Sequence, residues 1–295
     1  MIRYRKILLA TLLALLVLCG CGRPAAPAGG DDPETPALPP VTELNCVTDA
    51  LTLRFSREED GAWHWTDDPS FPLDETAVQA LADAMQQLAF SPITAEQLAD
   101  YGLADPKQSV TLTAGGETTA YVLGEEAGDG VRYLCPQDAA SPTVAPAPQE
   151  LLAMLQRSIY DLALLPQLPS LTADTVKTVE LAGAQTVSLT VEDGRWFSGG
   201  ADVTDRVAAF TAALGQLAFS RCVDYAPASG ASAVCGLDTP AATLTVTCGS
   251  SQTLTLAIGG TYEGGRFARM EGDSTIYLLD AALADPILAL AESGL

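Results

Sequence analysis

Gln87-Leu88-Ala89-Phe90-Ser91 recurs without change as Gln216-Leu217-Ala218-Phe219-Ser220, 129 residues later in a chain of 295. The match continues on both sides of this pentapeptide. Upstream, Glu59-Asp60-Gly61-Ala62-Trp63 pairs with Glu192-Asp193-Gly194-Arg195-Trp196. Downstream, Gly102-Leu103-Ala104-Asp105-Pro106 pairs with Gly236-Leu237-Asp238-Thr239-Pro240, and Gly124 with Gly259. The order is kept and the offset drifts only between 129 and 135. Self-similarity at a long, nearly constant period marks a duplicated structural unit. It divides the chain into a first copy over residues 41–166 and a second over 171–295, joined by Pro166-Gln167-Leu168-Pro169.

Each copy carries the same signals. Leu51-Thr52-Leu53-Arg54-Phe55 and Val187-Ser188-Leu189-Thr190-Val191 alternate with period two and run into an Asp-Gly turn, which predicts a strand and its return. Val78, Leu81, Met85 and Leu88 form one apolar helical stripe, and Val207, Phe210, Leu214 and Leu217 repeat it. Asp74 is the expected N-cap of the first helix, and Asp202 or Thr204 of the second. Hairpins are predicted around Gly115-Gly116 and Gly249-Ser250, followed by two short strands in each copy. Closing helices are predicted over Gln149–Leu162 and Ala281–Glu292, with Pro286 tolerable only in a first turn or at a kink. The expected fold class is α+β, an antiparallel sheet with helices packed against it, made twice.

Tyr101-Gly102-Leu103-Ala104-Asp105-Pro106, followed by alternating strands and then Val122-Leu123-Gly124, resembles the bacterial domain-of-unknown-function 4340 family. The second copy departs from the pattern at Cys235, where the aromatic stands, and rejoins it at Leu256-Ala257-Ile258-Gly259. The resemblance implies an envelope lipoprotein, in some cases found alongside transporter components. It implies no catalytic residues.

The N-terminus carries an address. Arg3, Arg5 and Lys6 precede an uncharged run from Ile7 to Leu18. Twelve helical residues rise about 18 Å, short of the roughly 30 Å hydrocarbon core but matched to a signal peptide. Leu18-Cys19-Gly20-Cys21 then reads as a lipobox, with residues 1–20 as the signal peptide and Cys21 as the acylated residue. Cys19 is the poorer choice because Leu18 would occupy the small-residue position. Two acyl chains give stable anchoring where one does not. Residues 21–40 are Pro- and Gly-rich and read as a disordered tether, able to reach roughly 60 Å at about 3.1 Å per residue.

The formal net charge is −22. Without Arg3, Arg5 and Lys6, the fifteen Lys and Arg fall to twelve against thirty-seven Asp and Glu, a net charge of −25. Such a surface repels nucleic acid and anionic bilayers, so no nucleic-acid partner is expected and the lipid must do the anchoring. The one histidine, His64, has Phe197 as its counterpart and reads as a strand-face residue. No nucleophile-elbow, zinc-helix or phosphate-loop motif occurs, and no cofactor or metal site is expected. The acidic run Glu125-Glu126-Ala127-Gly128-Asp129-Gly130 reads as a solvated turn. Five cysteines remain after Cys21, and Cys222 and Cys235, which flank a connection five residues longer in the second copy, are the candidate disulfide. Buried reduced thiols are the alternative.

A duplicated unit implies a cleft between its halves. Trp65, Tyr101, Tyr121, Tyr225 and Tyr262 are the candidate ligand-cleft aromatics. The leading expectation is a non-catalytic, lipid-anchored binding or scaffold protein on the extracytoplasmic face of the cell membrane, partnered with an envelope or transporter protein. An accessory ligand-binding component of a membrane transporter and a carboxylate-based extracytoplasmic hydrolase are the two other readings.

Overall fold

The structure, a computed structural model, describes residues 38–249 and 251–295. The expected signal peptide, Cys19, Cys21 and the expected tether as far as residue 37 lie outside the described residues.

Alternating apolar residues build the first sheet from β1 (Val41–Val47), β2 (Thr52–Arg57), β3 (Trp63–Trp65), β4 (Ser91–Pro92), β5 (Gln108–Ala114), β6 (Glu117–Leu123), β7 (Tyr133–Pro136) and β8 (Thr143–Pro146). Two helices accompany it, α1 (Glu75–Gln86) and α2 (Gln149–Met154). The strands lie in the order β3-β2-β1-β5-β6-β7-β8-β4 and every pairing is antiparallel. The second sheet repeats this plan with β9 (Val176–Ala182), β10 (Thr186–Glu192), β11 (Arg195–Ser198), β12 (Ala201–Asp202), β13 (Arg221–Asp224), β14 (Ala242–Cys248), β15 (Thr253–Tyr262), β16 (Gly265–Met270) and β17 (Ile276–Asp280). Its helices are α3 (Ala208–Gly215), α4 (Ala231–Val234) and α5 (Ala281–Ser293). Its order is β12-β11-β10-β9-β14-β15-β16-β17-β13, the same path with one extra edge strand. The α+β class and its tandem arrangement are therefore explicit in the topology.

Each sheet buries one face under a pair of helices, because a half-apolar sheet and an apolar helical stripe are stable only against each other. In the first repeat Val78, Leu81 and Met85 of α1 and Leu151 of α2 meet Leu44, Phe55, Val110 and Leu123. In the second, Phe210 and Leu214 of α3 and Ile287, Leu290 and Ala291 of α5 meet Val179, Leu181, Leu244 and Val246. The Trp after each Asp-Gly turn is a core anchor, with Trp63 2% and Trp196 4% exposed.

The structure departs from the sequence reading in three places. The central strands β1 and β9 are not among the strands expected from the sequence, and β1 has an irregular register between Val41 and Glu43. The helix predicted to reach Leu162 stops at Met154, and the chain resumes as a 3-10 turn over Ile159–Leu162 capped by Ser158 and Asp161. Asp74 does cap α1, accepting from the Thr76 N–H at 3.0 Å. Asp202 and Thr204 do not cap α3, whose N-cap is Val207. They serve the preceding turn instead: Asp202 accepts from the Thr204 N–H, and the Thr204 hydroxyl accepts from the Trp196 N–H at 3.0 Å.

Candidate functional site at the junction of the repeats

Pro39 to Leu295 form one compact unit, so the two repeats meet. They meet where the outer edge of β13 packs against the 3-10 turn Ile159–Leu162 of the first repeat. Phe71 is the centre of the contact. Tyr225 of the second repeat stands edge-on to it at 5.3 Å, Trp65 stands edge-on at 5.5 Å, and Tyr160 lies at 6.3 Å. The Tyr225 hydroxyl donates to the Ser70 carbonyl at 2.9 Å, and the Tyr160 hydroxyl donates to Asp224 at 3.4 Å. Edge-to-face rings joined by such bonds fix orientation as well as burying area.

Beside this contact lies a cleft of about 140 Å³ to which both repeats contribute, with Ser158, Tyr160 and Asp161 on one wall and Arg221, Cys222 and Tyr262 on the other. Arg221 is held by Glu263, Nη2 to Oε2 2.7 Å, and its guanidinium carbon sits 5.7 Å from the Tyr262 ring centroid. Tyr262 in turn stacks on Phe267 at 4.9 Å. Glu263 adopts φ +40° and Gly264 φ +82°, the pair of left-handed residues that a two-residue hairpin tip demands. A glutamate there is strained by about 1 kcal/mol or more relative to glycine, and its carboxylate meets Arg221.

The electrostatics follow from these contacts. The Arg221 hydrogen bond holds the Glu263 carboxyl below the usual range, and the Glu263 bond raises Arg221. Tyr262 is raised, first by its bond to Glu263. Tyr160 is raised by desolvation and by Asp224. Burial pushes the Cys222 thiol up to about 11, so it stays protonated at neutral pH and is no activated nucleophile. The cleft thus offers phenol donors, one committed guanidinium and ring surface, a set suited to recognition by hydrogen bonding.

The aromatic candidates divide. Tyr262 lines the cleft, whereas Trp65 and Tyr225 are spent on the inter-repeat contact. Tyr101 and Tyr121 belong to the first repeat alone: Tyr101 stands edge-on to Tyr133 at 4.8 Å and Tyr121 stacks on Phe90 at 5.7 Å. Tyr160, Arg221 and Glu263 escaped the sequence reading. The signal for Arg221 was present, since it follows the repeated pentapeptide where the first copy has Pro92.

The candidate disulfide is corrected. Cys222 and Cys235 are both free thiols, as are Cys46, Cys135 and Cys248. Cys222 on β13 is buried, 1% exposed, at the wall of the inter-repeat cleft, while Cys235 closes α4 at a half-buried position. The acidic loop is a turn: Asp129 accepts from the Val131 N–H at 3.0 Å and from the Tyr133 hydroxyl at 2.7 Å. Among the described residues no group of three His, Cys, Asp or Glu is placed to hold a metal ion. His64 on β3 lies 3.7 Å from Glu58.

The Tyr-Gly-Leu-x-x-Pro element has a structural explanation. Gly102 (φ +71°) ends the 3-10 turn Ala95–Tyr101 and lies so close to the end of β6 that an added Cβ would collide with the Glu125 carbonyl. A Cβ on Gly124 would stand 2.7 Å from the Tyr101 carbonyl. The Glu125 N–H donates to the Gly102 carbonyl at 3.0 Å across this contact. Gly236 and Gly259 repeat the device, with the Gly260 N–H donating to the Cys235 carbonyl at 2.8 Å. The motif is thus a place where two backbones touch, and the aromatic before the glycine is dispensable to it, as Cys235 illustrates.

No curated protein and no solved structure matches the chain. The family model described as Domain of unknown function (DUF4340) matches residues 63–199 and 200–293, in tandem. The two segments divide at Gly199-Gly200, the turn that joins β11 to β12. With most of its length matched, and with the glycine contacts built twice in the fold, the chain belongs to the DUF4340 family.

Proposed function

We propose that this chain is a lipid-anchored binding or scaffold protein of the bacterial cell envelope, held on the extracytoplasmic face through acylated Cys21 and acting without catalysis. The observation that carries the proposal is Leu18-Cys19-Gly20-Cys21 directly after a basic and then apolar segment too short to span a bilayer. Among the described residues no helix is long and apolar enough to cross a membrane. Beyond the tether, the chain presents a two-repeat body whose junction offers hydrogen-bonding groups and ring faces, and whose thiols are held protonated or buried. The partner contact is assigned to the cleft around Arg221 and Tyr262.

The test is radiolabelled or alkyne-tagged fatty acid incorporation in cells, with and without globomycin, alongside Cys21→Ala. The expected result is acyl label and membrane fractionation for the native chain, and loss of both for the variant. A Cys21→Ala protein that remains with the membrane and carries label at another residue overturns the anchoring. Affinity purification of the acylated chain under mild detergent then identifies its partner, and Arg221→Glu is expected to release it.

A further inference from the structure

The two repeats can be read against each other residue by residue, and one difference opens a second site. In the first repeat the indole N–H of Trp63 donates to the Gln79 side-chain carbonyl at 2.9 Å, and the Gln79 amide N–H donates on to Asp83 at 2.7 Å. A carboxamide therefore bridges the core tryptophan to a carboxylate on the next turn of α1. In the second repeat Trp196 stands for Trp63: both follow the Asp-Gly turn, both are buried, and both donate the backbone N–H to a side-chain oxygen near the start of the helix, that of Glu75 in the first turn of α1 at 2.7 Å and that of Thr204 ahead of α3 at 3.0 Å. At the helix offset of 129, however, Gln79 becomes Ala208 and Asp83 becomes Ala212. Both bridging groups are gone. Ala208 and Ala212 are exposed, and a groove of about 330 Å³ lies over them, with Trp196, Thr204, Asp205 and Thr211 also on its walls.

We propose that this groove binds the acetamido group of an N-acetylated amino sugar. The first repeat shows which chemistry satisfies the tryptophan, a planar amide whose oxygen accepts from the indole N–H. In the second repeat that amide comes from outside the chain. The acetamido oxygen takes the place of Gln79 Oε1 and its methyl lies against Ala208 and Ala212. The hydroxyl-bearing ring faces Asp205 and the threonines, which can accept from and donate to sugar hydroxyls. The preference for an amide over a plain hydroxyl follows because the equivalent place in the first repeat is filled by an amide. The site is separate from the inter-repeat cleft and does not depend on where the chain resides.

The test uses the full-length protein labelled with ¹⁵N, in which Trp63, Trp65 and Trp196 give three indole N–H resonances, assigned by Trp→Phe variants. N-acetylglucosamine is expected to shift the Trp196 resonance alone, in a saturable manner, and glucose is expected to leave it in place. Ala208→Gln returns the chain's own carboxamide to the groove and is expected to abolish the shift while the protein stays folded. Its three indole peaks remain dispersed, and the Trp196 peak moves to its bridged position without ligand. Equal response to glucose, absence of a saturable Trp196 shift with N-acetylglucosamine, or unchanged binding in Ala208→Gln each overturns the assignment.

Discussion

At the scale of single residues, the family's glycines and the buried thiols carry the sharpest consequences. Gly102 and Gly116 both adopt positive φ, +71° and +82°, but only Gly102 has backbone pressed against it; nothing lies within 4 Å of a Cβ built on Gly116. Gly102→Ala combines left-handed strain with overpacking and is expected to cost about 2–4 kcal/mol. Gly116→Ala carries the strain alone, about 1 kcal/mol. Urea midpoints of the two variants check the difference. The thiols set an alkaline limit. Burial pushes Cys46 up to about 12 and Cys222 up to about 11, from an ordinary value of 9.0. Above pH 9 the unfolded chain gives up these protons while the fold retains them. Stability is therefore full below that pH and falls as pH rises toward the folded values. Unfolding followed from pH 8 to 11 is expected to show this decline, and Cys46→Val to make it shallower.

At the scale of elements, legibility followed periodicity. The helical stripe Val78, Leu81, Met85 could be read because spacing of three and four has one structural meaning, and the Asp-Gly turns because φ > 0 demands such residues. β1 and β9 could not. They are flanked by strands on both sides, their polar residues Glu43 and Glu180 stand on the open face, and the irregularity at Val41 hides the phase. The site was legible only in part for a related reason. Whether Tyr225 lines a cleft or pins an interface depends on Phe71, more than a hundred residues away, and no local pattern encodes that meeting. α5 offers the element-scale prediction. Pro286 stands inside it, beyond the first turn, where it removes a helical donor and leaves the exposed Ala282 carbonyl to water. Pro286→Ala is expected to raise stability by about 1–3 kcal/mol, read as a higher thermal midpoint, with the fold unchanged.

At the scale of the whole molecule, the contact around Phe71 decides whether the repeats behave as one body. Each repeat has its own core, so cooperativity between them rests on Tyr225, Tyr160, Trp65 and the turn beneath β13. Tyr225→Ala removes the edge-on ring and its bond to Ser70, with an expected loss of about 2–4 kcal/mol of coupling. Calorimetry is expected to resolve one transition for the native chain and two for the variant. The placing of β1 bears on something else again, how the protein takes a load. β1 is the strand through which the preceding chain enters the fold, and it lies in the sheet interior, matched to five residues of β2 and six of β5. A pull on residue 40 acts along β1, so both ladders must slide together before either can open. An edge strand in that position would unzip one bond at a time. The fold thus meets force at its N-terminal end in shear, along two ladders at once, at the end through which the proposed lipid anchor would pull.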